Sequence, residues 1–466
     1  MSEKKSRKSW NLRSMLKPSS VAIVGASNNP MKVGHVILNN YIEEGYQGKL
    51  YPVNLKEDVI MGLRSYKSVS QIRESVDLAV IAVPAEAVPA VLEDCGRAKV
   101  KSAVVISGGF AEVGETKLQD KIVAIANKYK IAMIGPNCLG VMDPRSRIDT
   151  MFLPTYKLSK PKIGGVSFVC QSGAVGSTVL DLIAKEGFGL SKFISYGNAA
   201  QVDEVDILEY LMNDDETKVI IVYMEGAKRG RELFEIGKKL SMKKPVIIIK
   251  GGVTEAGAAA AHSHTASLAG SHEAYEAVFR QCGFAIARDL DDLLYFAKAF
   301  ATEPAPKGDR IAIVTNGGGT GVLTTDAVYN AGLKMAELSS KTKIALKRKM
   351  PSTVNVRNPL DLVGDADDRR YDDALNILSQ DKNIDMLIVI ALFQTPGADE
   401  KLSERLVALK KETDKPMIVV SAGSAYTEER KVFMENNGLP VYDSPTAAAN
   451  SLAELLKYSK YKKKIV

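Results

Sequence analysis

The chain has 466 residues, 45% hydrophobic and 25% charged, with a formal net charge of +7 whose excess lies in two basic ends, SEKKSRKS and KYSKYKKKIV. That length exceeds what one hydrophobic core organises, so two to four domains are expected, and no apolar run is long enough to cross a bilayer. With one tryptophan and few phenylalanines, the chain lacks the basic surface interleaved with aromatics that nucleic-acid binding needs, whereas small anionic substrates suit a mild positive balance.

Residues 1–19 are basic without a following apolar segment or small-residue cleavage site, so they read as a solvated lead-in rather than a secretory signal. The four cysteines, Cys95, Cys138, Cys170 and Cys282, are dispersed with no CxxC spacing. Neither a zinc site nor a disulfide framework is expected, and no metal ligands are assigned. These features predict a cytoplasmic protein with reduced, mostly buried thiols.

Residues 20–146 alternate short apolar runs, SVAIVGAS, KLYPVN, VDLAVIAVP, KSAVVISGG and IAMIGPN, with amphipathic stretches. Continuous apolar strands separated by helices predict an α/β domain with a parallel sheet covered on both faces. The first turn, at Gly25, Ala26 and Ser27, is shaped for phosphate: a glycine after the strand lets the main chain approach, and the next helix offers free N–H groups. It is not a dinucleotide fingerprint, because eight residues separate Gly25 from Gly34. The second strand ends in Asn54 and Lys56, where an NAD site would offer an acid, and a lysine there suits a phosphorylated ribose. Coenzyme A, or less readily NADP, is favoured over NAD. Further turns at Val83-Pro84, at Ser107-Gly108-Gly109 and at GPNCLG, which contains Asn137, fall where strands of an open sheet end and ligands bind.

A segment around 143–162, rich in proline and charge and without clear periodicity, introduces a second α/β domain at 147–303; TEPAPKGDR, at 302–310, leads into a third at 308–466. These two domains resemble each other. GGVSFVCQSGAVGSTVLDLIAKEGF and DRIAIVTNGGGTGVLTTDAVYNAGL both run strand, glycine turn, helix, glycine, and each precedes an acidic helix and a later strand, as a duplication would leave them. Both turns put small residues at a helix N-terminus, where an anion can approach closely.

Residues 257–271, GAAAAHSHTASLAGS, hold His262 and His264 among small residues. Metal binding by the H-x-H pair lacks a third ligand apart from His272. An alanine-rich surface helix and a catalytic histidine on a compact loop both remain open on the residues alone.

SHTASLAG, together with QSGAVGS, VYMEG and GPNCLG, resembles the α subunits of the nucleoside-diphosphate-forming acyl-CoA synthetases, the superfamily of succinyl-CoA synthetase, and in particular the archaeal ADP-forming acetate–CoA ligase type. The likeness runs from about Ser20 to the C-terminal helix. It implies three tandem doubly wound units: a Rossmann-like CoA-binding domain and two flavodoxin-like ligase domains. It implies that His264 is a phosphohistidine held by Glu225, with Ala266 replacing the glycine usual in the S-H-T-G-x-L-A-G motif. It further implies a phosphate cradle from paired helix ends, Ser172, Gly173 and Ala174 in one ligase domain and Asn316, Gly317, Gly318 and Gly319 in the other. An imidazole nucleophile needs one nitrogen free and the other N–H held by an acceptor, which a carboxylate supplies.

With three units assigned, the ATP-grasp domain that the nucleotide step requires is expected on a separate β subunit, with ADP or ATP and Mg bound there, in an α2β2 assembly. The implied reaction interconverts acyl-CoA, ADP and phosphate with a small carboxylic acid, ATP and CoA through an acyl phosphate. A non-catalytic CoA sensor of the same architecture is the alternative, and the histidine counts against it. A dehydrogenase is disfavoured by the missing GxGxxG and acidic partner.

Overall fold

The computed structural model describes residues 10–257 and 271–465. The chain forms two compact units, one from residues up to 185 and from 189 to 286, the other from 186–188 and 287 onward.

The first unit contains two sheets. In one, five parallel strands lie in the order Lys49–Val53, Ser20–Val24, Leu78–Ile81, Ser102–Val105 and Ala132–Ile134. Ser20–Val24, Leu78–Ile81 and Ser102–Val105 are buried along their whole length, which is why they read as unbroken apolar runs rather than as alternations. The chain goes first to one side of Ser20–Val24 and then returns to the other, so the crevice of this sheet opens beyond Val24 and Ile81.

The second sheet has the same parallel order, Leu190–Ser195, Ile163–Cys170, Val219–Met224, Val246–Lys250 and Ala285–Ile286. A short antiparallel pair, Val141–Asp143 and Ile148–Asp149, extends it beyond Leu190–Ser195. The segment expected to be an aperiodic seam thus contributes sheet, and the expected boundary at 146/147 falls inside this hairpin. Strands of two or three residues carry no readable period. Lys192, wholly buried, fastens the hairpin through Asp143 at 3.7 Å and reaches Asp214 and Glu216 at 2.8 Å each. One continuous core runs from Val21 and Ile23 of the first sheet to Val169, Ile194 and Val222 of the second.

The second unit repeats the order again: Lys334–Met335, Arg310–Thr315, Met386–Ile390, Met417–Val420 and Val441–Tyr442, all parallel, with Leu360–Asp361 also paired to Arg310–Thr315. The helix Leu290–Thr302, expected in the second domain, packs here on Pro445–Ile465. The repetition read from the two glycine turns therefore extends to strand order.

Candidate functional site

In the first sheet the expected CoA residues gather at the strands' carboxyl ends. Gly25 has φ +96°, and a Cβ there would lie 2.3 Å from the Ala82 carbonyl oxygen, so only glycine fits the turn. A Cβ at Gly34 would meet the Gly25 carbonyl oxygen at 2.0 Å, which brings the N-terminus of the helix Val33–Glu43 directly onto the turn. The Asn54 amide donates to the Ala26 carbonyl at 2.7 Å, tying the two strand ends together, and its oxygen accepts the Lys56 and Glu57 N–H groups. Lys56 is exposed. The Ser27 hydroxyl donates to Glu57 at 3.3 Å. Glu57, also bonded by Asn28, is an acid at this turn that the sequence reading passed over.

Ser107 donates to the Val83 carbonyl at 2.5 Å, beside Pro84. Gly108 lies against Asn137, whose φ is +57° and whose amide donates to Asn198 at 3.2 Å. Asn198 in turn donates to Gln119 at 3.0 Å and accepts, through its carbonyl, from Lys228 at 3.4 Å. A Cβ at Gly197 would meet the Asn137 carbonyl oxygen at 2.3 Å. The loops 135–140 and 195–199 are thereby in close contact, and they join the carboxyl edge of the first sheet to that of the second.

On that second edge, Gln171 and Ser172 lead from the strand Ile163–Cys170 into the helix Gly173–Lys185. The Ser172 hydroxyl accepts the Val175 N–H at 3.4 Å, leaving Gly173 and Ala174 at an open helix end that favours negative charge. The next strand, Val219–Met224, delivers Glu225, which is 7% exposed. Gln171 accepts the Glu225 N–H at 2.7 Å and fixes the main chain. The Tyr223 hydroxyl donates to Glu225 Oε1 at 3.2 Å. Glu225 Oε2 is buried and has no hydrogen-bond partner among the described residues.

Beside it the strand Val246–Lys250 ends in a buried lysine and Gly251, where a Cβ would lie 2.6 Å from the Tyr223 hydroxyl and 3.4 Å from Glu225 Cγ. Burial pulls the Lys250 ammonium down from its ordinary value, and the Glu225 charge opposes the shift. Burial pushes the Cys170 thiol up, so the nearby sulfur stays protonated and supplies no thiolate. Sequence reasoning missed Gln171, Tyr223, Asn198 and Lys250. His262, His264 and Ala266 lie outside the described residues.

The second unit has its own glycine turn. Asn316 is committed to the fold: its amide donates to the Leu392 carbonyl at 3.2 Å and to Thr395 at 3.0 Å, and its oxygen accepts the Leu392 N–H at 3.0 Å. Gly317 precedes the helix Gly318–Asn330 without a side-chain cap. Gly319 faces open space, but a Cβ at Gly318 would lie 2.7 Å from Asp361 Oδ2. A carboxylate already stands beside this helix end, and any phosphate there must share it.

Three family models match successive parts of the chain: a CoA binding domain over 19–144, a succinyl-CoA ligase like flavodoxin domain over 163–300 and a Ligase-CoA domain over 311–463. The α subunit of acetate–CoA ligase (ADP-forming) II from Pyrococcus furiosus is 41% identical, with 95% of this chain and 97% of that one covered. An acetate–CoA ligase (ADP-forming) from Methanocaldococcus jannaschii is 40% identical over 98% of this chain, which spans 64% of that protein. A solved structure of the dinucleotide forming acetyl-coenzyme A synthetase 1 of Ca. Korarchaeum cryptofilum, in complex with phosphate and ADP, superposes with a TM-score of 0.92 at 35% identity, covering 98% of this chain and 99% of that one. The three parallel sheets, the three successive family models and the identity to α subunits covered over nearly their whole length establish that the chain belongs to the family of ADP-forming acetate–CoA ligase α subunits.

Proposed function

We propose that this chain is the CoA-binding, phosphoryl-carrying subunit of an ADP-forming acyl-CoA synthetase, with acetyl as the acyl group. The observation that carries the reading is Glu225 Oε2, a buried carboxylate oxygen with no partner among the described residues, on a residue whose main-chain N–H is held by Gln171, next to the helix end at Ser172, Gly173 and Ala174. Leaving such an oxygen unpaired costs about 1–3 kcal/mol or more, and an imidazole N–H would satisfy it. His264 is the histidine proposed to dock there.

Acyl-CoA is held along the carboxyl edge of the first sheet by Gly25, Ala26, Ser27, Asn54, Lys56, Val83, Pro84, Ser107, Gly108 and Asn137. The positive φ of Gly25 and the 2.0 Å approach at Gly34 support this, since a turn without side chains lets a phosphate come close to the main chain and to the following helix end. The contact between loops 135–140 and 195–199 gives the thioester a route to the second sheet. There phosphate attacks the thioester carbonyl, the C–S bond breaks, and acyl phosphate and free CoA form. The unprotonated His264 nitrogen then takes the phosphoryl group and releases the carboxylate, while Glu225 holds the other N–H. The helix end at Gly173 stabilises the anion in flight, a matter of position and charge. Gly317, Gly318 and Gly319 are proposed to meet the phosphoryl group through their main chain, with Asn316 holding the turn.

The nucleotide step is assigned to a separate ATP-grasp β subunit that binds ADP or ATP with Mg, in an α2β2 assembly. The subunit name of the Pyrococcus relative and the greater length of the Methanocaldococcus one support a second chain. Four free, buried cysteines, and no described helix long and apolar enough to cross a membrane, fit a cytoplasmic setting. The relatives' ligase activities favour this reading over a CoA sensor. Mixed with its partner, ADP, phosphate and acetyl-CoA, the protein is expected to form acetate, CoA and ATP in equal amounts. ATP formed equally well without this chain would overturn the proposal.

A further inference from the structure

The turn at Gly25, Ala26 and Ser27 runs into a peptide unit that is held at both of its polar ends. His35 Nδ1 lies 2.9 Å from the Ser27 carbonyl oxygen; a carbonyl only accepts, so Nδ1 carries the proton and donates. The N–H of the same peptide unit, that of Asn28, donates to Glu57 Oε2 at 3.2 Å. His35 belongs to the helix Val33–Glu43, and Glu57 follows the strand Lys49–Val53. The peptide is therefore clamped between the helix that Gly34 brings onto the turn and the end of the neighbouring strand.

Glu57 collects two further donors, the Ser27 hydroxyl on Oε1 at 3.3 Å and the Asn28 side-chain amide on Oε2. A carboxylate has acceptors only, so it takes all three with no donor of its own to place. Its partners are anchored in turn. Ser27 Oγ accepts the Asn29 N–H at 3.1 Å, and Asn28 exchanges bonds with the Val59 carbonyl and the Met61 N–H at 2.9 Å each. Asn54 accepts the Glu57 N–H at 3.0 Å and so fixes where the acid starts. We infer that Glu57 is a positioning residue for CoA: it fixes Ser27 and Asn28 and so gives the turn its receiving shape before CoA arrives. This rests on the CoA-site reading above. Preorganisation lowers the cost of binding and leaves the chemical step alone.

The test measures KM and kcat for acetyl-CoA, in this chain with its ATP-grasp partner, together with a thermal melt, for Glu57→Ala and Glu57→Gln. In Glu57→Ala the KM is expected to rise by roughly tenfold, the scale of one lost charge-assisted hydrogen bond, with kcat unchanged. Glu57→Gln keeps one acceptor oxygen for Asn28 but turns an amide NH2 toward Ser27, so its KM is expected between wild type and alanine. A role confined to folding would lower the melting temperature and the active fraction and leave KM where it was; that result would overturn the inference. So would lower KM in both variants, the order that simple repulsion between Glu57 and the CoA phosphates gives. Should the alanine variant fold poorly, a glutamine KM at or below wild type overturns the inference by itself. Each of these leaves the CoA site standing, whereas wild type that binds no CoA in calorimetric titration would remove that reading.

Discussion

Replacing Gly34 by alanine tests the proposed CoA site through a contact that contains no functional side chain. The new Cβ would stand 2.0 Å from the Gly25 carbonyl oxygen, 2.6 Å from its carbon and 2.9 Å from the Ala26 nitrogen. All three are main-chain atoms of the turn, so no side chain can swing aside, and the helix Val33–Glu43 must move out by about 1 Å or more. Overpacking of this kind costs about 1–3 kcal/mol. Alanine's better helix propensity returns at most ~1 kcal/mol, and less at the second residue of a helix, so the clash dominates. Falling wholly on the binding conformation, such a cost weakens CoA binding by roughly 5- to 150-fold. Falling on the fold, it lowers the melting temperature at roughly 2–4 °C per kcal/mol. Calorimetric titration with CoA and a thermal melt read both. Gly230→Ala is the control: it opens the helix Gly230–Lys243, nothing lies within 4 Å of its Cβ, and it is expected to leave CoA affinity unchanged. Gly34→Ala with wild-type affinity and wild-type melting would rule out the close approach of this helix to the Gly25 turn.

Two other residues give independent tests. Lys192→Met leaves Asp143, Asp214 and Glu216 without their buried cation and is expected to destabilise the first unit by about 3–5 kcal/mol in guanidinium unfolding; a loss below ~1 kcal/mol would contradict a structural role for the network. Glu204 is 1% exposed, and burial together with Asp203 pushes its carboxyl up to about 8. The folded protein therefore prefers the protonated acid, and stability is full below the ordinary carboxylate value and lost as pH rises toward about 8. Glu204→Gln is expected to gain on wild type progressively across that interval in urea unfolding, and a pH-independent difference would contradict the assignment.

The sequence made the parallel sheets legible because their strands are buried on both faces, and the Gly25 and Ser172 turns legible because small residues follow an apolar run. The residues packed around these turns and strand ends were hidden for physical reasons. Gly34 matters only because a helix crosses a particular carbonyl, a fact of three dimensions that no spacing rule encodes. Lys250 ends the run VIIIK and looks like a solvated terminus, yet the neighbouring strand and Tyr275 bury it. Asp361 reaches the Gly318 helix end from a strand more than forty positions away. Glu57 stands next to Lys56, and the sequence offered no reason to weigh one charge over the other; its bonds with Ser27 and Asn28 do. The hairpin at 141–149 is too short to carry a period.

The proposed reaction requires His264 to carry the phosphoryl group against Glu225. The most direct measurement incubates the purified protein with radiolabelled phosphate and acetyl-CoA and assays for acid-labile, base-stable label in wild type, His264→Ala and Glu225→Gln. Label is expected in wild type, none in His264→Ala, and a strong loss in Glu225→Gln, which keeps the shape of the acid without its charge. Equal label in His264→Ala, or none in wild type even with the ATP-grasp partner and ATP present, would contradict it.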